Sequence, residues 1–190
     1  MLELKDLHKT FNPGTVNAKT ALDGLSLTLW DGEFVTVIGG NGAGKSTMLN
    51  AAGTLSVDSG EVHLDGVDVT DLPEYKRAAY IGRMFQDPMM GTAPSMHIEE
   101  NLALAARRGQ PRGLKWGITR AERNDYRELL KGLDLGLEDR LTSKVGLLSG
   151  GQRQALTLLM AALKKPKLLL LDEHTAALDP KTAAKVLALM

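Results

Sequence analysis

The feature that most constrains this chain is the run Gly39-Gly40-Asn41-Gly42-Ala43-Gly44-Lys45-Ser46, which fits the pattern G-x-x-x-x-G-K-[ST]. It follows the β-prone stretch Phe34-Val35-Thr36-Val37-Ile38, whose continuous apolar character predicts a strand buried on both faces of a parallel sheet. It precedes Ser46 to Ala52, which reads as a helix ending at Gly53 as its C-cap. A glycine-rich loop between a strand and a helix turns backbone N–H groups toward one point. The helix end adds partial positive charge there, so the arrangement suits phosphate oxygens. In that frame Lys45 bridges the terminal phosphates of a nucleotide and the Ser46 hydroxyl is placed to bind Mg²⁺.

Two further motifs fit the same chemistry. Lys167 to Leu171 is an apolar strand ending in Asp172-Glu173, which sets carboxylates at the C-terminal edge of a sheet. Asp172 suits the shell of a metal held by phosphate, and Glu173 suits a base that orients or deprotonates water. Leu148-Ser149-Gly150-Gly151-Gln152 opens a helix running from Gln152 to Leu163. Ser149 is a good N-cap there, and Gly150 and Gly151 expose backbone donors at the positive helix end, which makes a second anion site.

Elsewhere the chain alternates between two characters. Leu2 to His8 and Leu22 to Leu29 alternate apolar and polar residues around Asn12-Pro13-Gly14, which predicts a β-hairpin. Gly60 to Thr70 does the same around the tight turn Asp65-Gly66, and Ala79 to Phe85 reads as a strand leading to Gln86. Beyond Ile98 the composition turns helical, with Glu99 to Arg108, Arg120 to Gly132 and the helix after Ser149 as its segments. Arg107, Arg108, Arg112 and Lys115 fall in a Gly- and Pro-punctuated stretch that reads as a solvated loop, with a phosphate or headgroup contact as the alternative. Lys181 to Met190 begins another helix.

At 190 residues, 43% hydrophobic and 24% charged, the chain has a globular profile with room for one core. Equal numbers of basic and acidic residues, 23 of each, provide no long-range field for a polyanion, so nucleic-acid binding is not expected. The absence of cysteine removes disulfides and thiolate metal sites. The polar, alternating N-terminus MLELKDLHKT is no signal peptide, and the apolar runs are far shorter than the ~20 residues a spanning helix needs.

Taken together, the phosphate loop, Gln86, the LSGGQ string and the Asp172-Glu173 strand end resemble the nucleotide-binding domain of ATP-binding cassette (ABC) transporters over essentially the whole chain. The resemblance implies an α/β fold, with a P-loop NTPase (RecA-like) core, an antiparallel β subdomain and an inserted helical subdomain. It implies a single ABC ATPase domain over 1–190, with core and β subdomain at about 1–95 and 166–190 and the helical subdomain at about 96–165. By the same resemblance ATP is held by Gly39, Asn41, Gly42, Ala43, Gly44, Lys45, Ser46 and Thr47, with Phe11 stacking on adenine. Gln86, Ser46 and Asp172 ligate Mg²⁺, and Glu173, Gln86 and Lys45 serve catalysis. Ser149, Gly150, Gly151 and Gln152 contact the ATP of a second subunit, and Ala177-Leu178-Asp179 matches the D-loop.

The partners so implied are a second ATPase subunit, in a homodimer closed by ATP, transmembrane permease subunits and, indirectly, a substrate-binding protein. The place implied is the cytoplasmic face of the membrane, peripherally. The strings LSGGQRQALTLL and Asp172 to Asp179 resemble ATPases of bacterial importers paired with branched-chain-amino-acid-type permeases, which implies an amino-acid cargo, aromatic in one version. The family's switch histidine lies on a strand beyond the catalytic glutamate, whereas this sequence ends at Met190, 17 residues past Glu173. His174 does not match it. The expectation is therefore a C-terminally truncated cassette that binds ATP and hydrolyses it weakly. The alternative is a non-transport ABC ATPase acting on ribosomes or DNA. A single cassette with a compact helical lobe and no sustained heptads argues against it, and the LSGGQ string argues against a nucleotide kinase or GTPase.

Overall fold

The computed structural model describes residues 1–87, 89–111, 113 and 117–172. They fall into two compact units, divided after Ala78.

The first unit is built on an antiparallel sheet. Strands β1 (Leu2–Phe11) and β2 (Lys19–Leu29) pair as the expected hairpin, and β3 (Ser59–Leu64) and β4 (Val67–Asp68) extend it in the order β2-β1-β3-β4. Alternation sets the register, since Leu2 and Leu4 are buried opposite the buried Leu64 and Val62 of β3. The turn between β3 and β4 has Asp65 at φ 51° and Gly66 at φ 75°. Two successive left-handed residues are what a two-residue hairpin loop with the sheet's own twist requires. Helix α1 (Lys45–Gly53) and the single turn α2 (Glu74–Arg77) complete the unit. Arg77 is buried, and its guanidinium donates to the Leu72, Ala51 and Thr70 carbonyls, tying the last turn of α1 to the segment after β4.

Two expectations fail in this unit. Residues 34–38 form no strand, and Phe34 and Ile38 are 79% and 89% exposed. No strand of the described residues pairs with them, and without a ladder a β-prone run has no backbone partners to hold it in a sheet. Gly53 is the last residue of α1 rather than its cap. Thr54 occupies that position and its N–H returns to the Asn50 carbonyl.

The second unit pairs β5 (Ile81–Met84) with β6 (Leu168–Leu171) in parallel, Met84 lying opposite Leu171. Helices α3 (Ile98–Ala106), α4 (Arg120–Lys131) and α5 (Gly150–Ala162) surround one apolar cluster. It takes Ile98 and Leu102 from α3, Tyr126 and Leu130 from α4, Leu156 and Leu159 from α5, and Met84 from β5. The i,i+4 spacing in α3 and α4 and the i,i+3 spacing in α5 put each pair on one face. On α4, Tyr126 and Leu130 are the buried residues of an otherwise polar helix. Gly82 lets α5 approach β5 closely, because a Cβ there would meet the Ala161 carbonyl oxygen at 2.4 Å.

Arg107 and Arg108 are half-buried and engaged with their own unit rather than fully solvated. Arg107 donates to Glu122 and to the Gly117 carbonyl, and Arg108 donates to the Ala161 carbonyl at 2.9 Å. Both guanidiniums thus serve local structure. Arg112, Lys115 and the helix expected over 181–190 lie outside the described residues.

Candidate nucleotide site and signature turn

In the first unit the phosphate loop rests against β2. Gly42 and Gly44 hold φ 80° and 88°, a region that side-chain-bearing residues seldom adopt. At Gly44 the reason is also steric, since a Cβ there would stand 2.5 Å from the Ala21 carbonyl oxygen. Gly44 is the N-cap of α1, and the helix proper begins when the Met48 N–H reaches the Gly44 carbonyl at 2.8 Å. The first N–H groups of α1 therefore have no intrahelical acceptor, and their partial positive charge gathers at the loop. Lys45 Nζ donates to the Gly39 and Gly40 carbonyls, at 2.7 and 2.9 Å. This folds its ammonium over the loop's own backbone.

Phe11, 38% exposed, ends β1 opposite Lys19. The Lys9 ammonium lies 6.0 Å from its ring centroid. A solvent-facing aromatic at a hairpin's loop end is free to stack, which a core phenylalanine is not.

In the second unit Gln86 and Asp172 come together at one sheet edge. They follow Met84 and Leu171, which are register partners in the parallel pair, so both leave the sheet at its C-terminal end. The Asp172 N–H donates to the Met84 carbonyl at 3.2 Å, continuing the ladder. An amide oxygen and a carboxylate there supply hard donors of the kind Mg²⁺ prefers. Glu173 and Asp179 lie outside the described residues.

The signature turn is held differently. Ser149 caps α5, its hydroxyl accepting from the Gln152 N–H at 3.3 Å, while Gln152 returns its side-chain oxygen to the Ser149 N–H at 3.2 Å. The helix begins at Gly150, two residues earlier than expected. Ser149 and Gly150 are exposed, and the space beside Gly150 is open. Gln152 also donates to the Leu135 carbonyl at 3.2 Å, so its side chain is committed to the unit's own structure.

Arg153 was not foreseen. Its Nη2 donates to the Gly146 and Leu148 carbonyls, at 3.1 and 3.2 Å, and its Nη1 reaches Met89 Sδ. It locks the 3₁₀ turn Val145–Leu147 that delivers Ser149. The available signal was a cation in the first turn of a helix, where the macrodipole opposes it; such a placement points to carbonyl partners outside the helix.

Comparison with known proteins shows the family. The family model described as ABC transporter matches residues 22–176. The chain is 48% identical over 190 residues to a tyrosine transport ATP-binding protein of Clostridioides difficile, covering all of this chain and 75% of that one. It is 38% identical over 195 residues to a methionine import ATP-binding protein of Corynebacterium diphtheriae, covering 100% and 54%. A solved dimeric ATP-binding cassette in a post-hydrolysis state, bound to ADP and phosphate, superposes with a TM-score of 0.84 at 34% identity, covering 100% of this chain and 81% of that one. With the phosphate loop on β2 and the capped signature turn on α5, the chain belongs to the ABC transporter family, as an ATP-binding and ATP-hydrolysing subunit.

Proposed function

We propose that this subunit powers the import of an amino acid, tyrosine or a close aromatic relative, by closing on ATP against a second copy of itself beneath a permease. The observation that carries the reading is the outward presentation of Ser149 and Gly150 at the N-terminus of α5, with the cap locked by Gln152. An anion-binding helix end that faces away from its own unit's core is suited to another molecule's phosphates. One chain then carries half of each of two sites. The 48% identity to a tyrosine transport subunit supports the cargo, and the dimeric state of the solved cassette supports the pairing.

In this reading the amides of residues 41–47 and the Lys45 ammonium hold the triphosphate, and Phe11 stacks on the base. By the family resemblance Mg²⁺ would take the Ser46 hydroxyl, the Gln86 amide oxygen and the Asp172 carboxylate as ligands. When bound it neutralises developing charge on the phosphates. Among the described residues no cluster of three or more His, Cys, Asp or Glu residues can hold a metal. The magnesium would thus draw further ligands from nucleotide and water, as it commonly does. Glu173 accepts a proton from the attacking water, and the partner copy's signature turn covers the γ-phosphate. Asp179 belongs to the loop at the pair's seam, and the helical subdomain spans about 96–165. Among the described residues no helix is long and apolar enough to cross a membrane. The span is assigned to the permease, and the subunit to the membrane's cytoplasmic face, with a substrate-binding protein delivering cargo.

The test is ATP-driven uptake by the subunit reconstituted with its permease and binding protein in liposomes. Tyrosine accumulation should require ATP and disappear in Glu173→Gln, which should instead trap an ATP-bound dimer visible by sizing. ATP-dependent uptake of methionine but not tyrosine would overturn the cargo. Undiminished hydrolysis in Glu173→Gln would overturn the role of that carboxylate.

A further inference from the structure

Lys19 lies where the β1–β2 hairpin meets the phosphate loop, and no motif pointed to it. It is the cross-strand partner of Phe11 at the loop end of the hairpin. Its ammonium stands 3.3 Å from where a Cβ on Gly42 would be, over the left-handed bend of the loop. Two residues further along β2, the Ala21 carbonyl presses against Gly44. The strand is thus seated on the loop at Gly44, and that seating places the Lys19 backbone within reach of the loop's left-handed bend. Among the described residues no carboxylate pairs with Lys19. Lys45 is different, being engaged with the Gly39 and Gly40 carbonyls of its own loop.

We propose that Lys19 is a further nucleotide-binding residue: a cation on β2 that meets a phosphate of the bound nucleotide across the loop from Lys45. The inference rests on the reading of residues 39–46 as a phosphate loop. A strongly hydrated point charge on a flexible stem suits a polyphosphate, which offers many oxygens and no single geometry. Because Lys19 is solvent-exposed, its attraction is screened and its contribution is modest. The hairpin then reads both parts of the nucleotide from one pair of opposed residues, Phe11 on the base and Lys19 on the phosphates. A chain with a neutral residue at this position would keep the fold and lose part of its preference for phosphorylated over unphosphorylated nucleoside.

The experiment compares dissociation constants for MgATP and for adenosine in wild type, Lys19→Gln, Lys19→Arg and Lys45→Ala. Lys19→Gln should weaken MgATP about fivefold, leave adenosine unchanged and flatten the salt dependence of ATP binding, while Lys19→Arg stays within about twofold of wild type. The inference is overturned if Lys19→Gln binds MgATP as wild type does while Lys45→Ala loses it. It is also overturned if adenosine and MgATP weaken equally, since a merely structural change would move both. Wild-type affinity in Lys45→Ala would instead bring down the phosphate-loop reading, and Lys19 with it.

Discussion

The phosphate loop and the signature turn both offer backbone N–H groups at a helix N-terminus, yet they are shaped by opposite means. The loop before α1 has no side-chain cap, and its form depends on left-handed glycines seated against a strand more than 20 residues earlier in sequence. The turn before α5 is a local device. A serine and a glutamine three residues apart satisfy each other's backbone groups, and a helix buried along most of its length fixes their direction. A turn made by absent side chains fails when one is added, whereas a turn made by side chains fails when one is removed.

That contrast sets the largest expected effect. In Gly44→Ala the new methyl meets the Ala21 carbonyl at 2.5 Å in a backbone region that disfavours it. Left-handed strain and overpacking together cost about 3 kcal/mol, so MgATP affinity should fall on the order of 100-fold. Calorimetric titration measures it. Binding within threefold of wild type would mean that the loop is free to leave β2, and that its seating there does not govern its shape.

The two turns were also unequally legible in the sequence. Asp65-Gly66 and Ser149 to Gln152 could be read directly, because their geometry is decided within four residues. The phosphate loop's glycines were readable as a pattern, but the acceptor that excludes a Cβ at Gly44 is the Ala21 carbonyl, which no local window contains. Phe34 to Ile38 shows the same limit from the other side. Its composition suits a buried strand, but strand formation is a property of pairs, and composition cannot supply the partner. Arg153 was missed because its partners are backbone carbonyls, which any sequence can offer. Asp172 was readable as the acid ending an apolar strand and Gln86 by resemblance, but their shared sheet edge follows from the Met84–Leu171 register, a long-range pairing.

At the signature turn the cap and the anion site can be separated. Ser149→Ala removes the acceptor for the Gln152 N–H and should cost about 1 kcal/mol, lowering the thermal midpoint by about 3 °C. Ser149→Asp keeps an acceptor in the same place and adds negative charge. It should melt close to wild type while failing to form the ATP-bound pair. Scanning calorimetry and sizing in the presence of MgATP distinguish the two. If Ser149→Asp pairs on ATP as readily as wild type, the exposed face of the turn is not where the partner's phosphates lie.

The smallest effect concerns what supports the signature side from below. Glu99 on α3 is 5% exposed and accepts from Arg123 of α4, whose Nη2 donates at 2.8 Å and whose Nε donates to the other oxygen. The hydrogen bond from Arg123 is the main reason that the Glu99 carboxyl titrates below its ordinary value near 4.5, against the opposing effect of its burial. A folded-state pKa below the unfolded one gives stability that is complete above the ordinary glutamate range and is lost as the pH falls through the folded value. Glu99→Gln should therefore lower the thermal midpoint by about 2 °C at pH 7. The difference should close as the pH drops below the carboxylate range, because wild type then carries a neutral carboxyl in the same place. MgATP affinity should not change, since Glu99 and Arg123 bond to each other and neither is assigned a part in holding the nucleotide or its magnesium. A midpoint difference that persists at low pH would show that Gln fails there by shape, and a matching fall in ATP affinity would show that the two turns are not independently built.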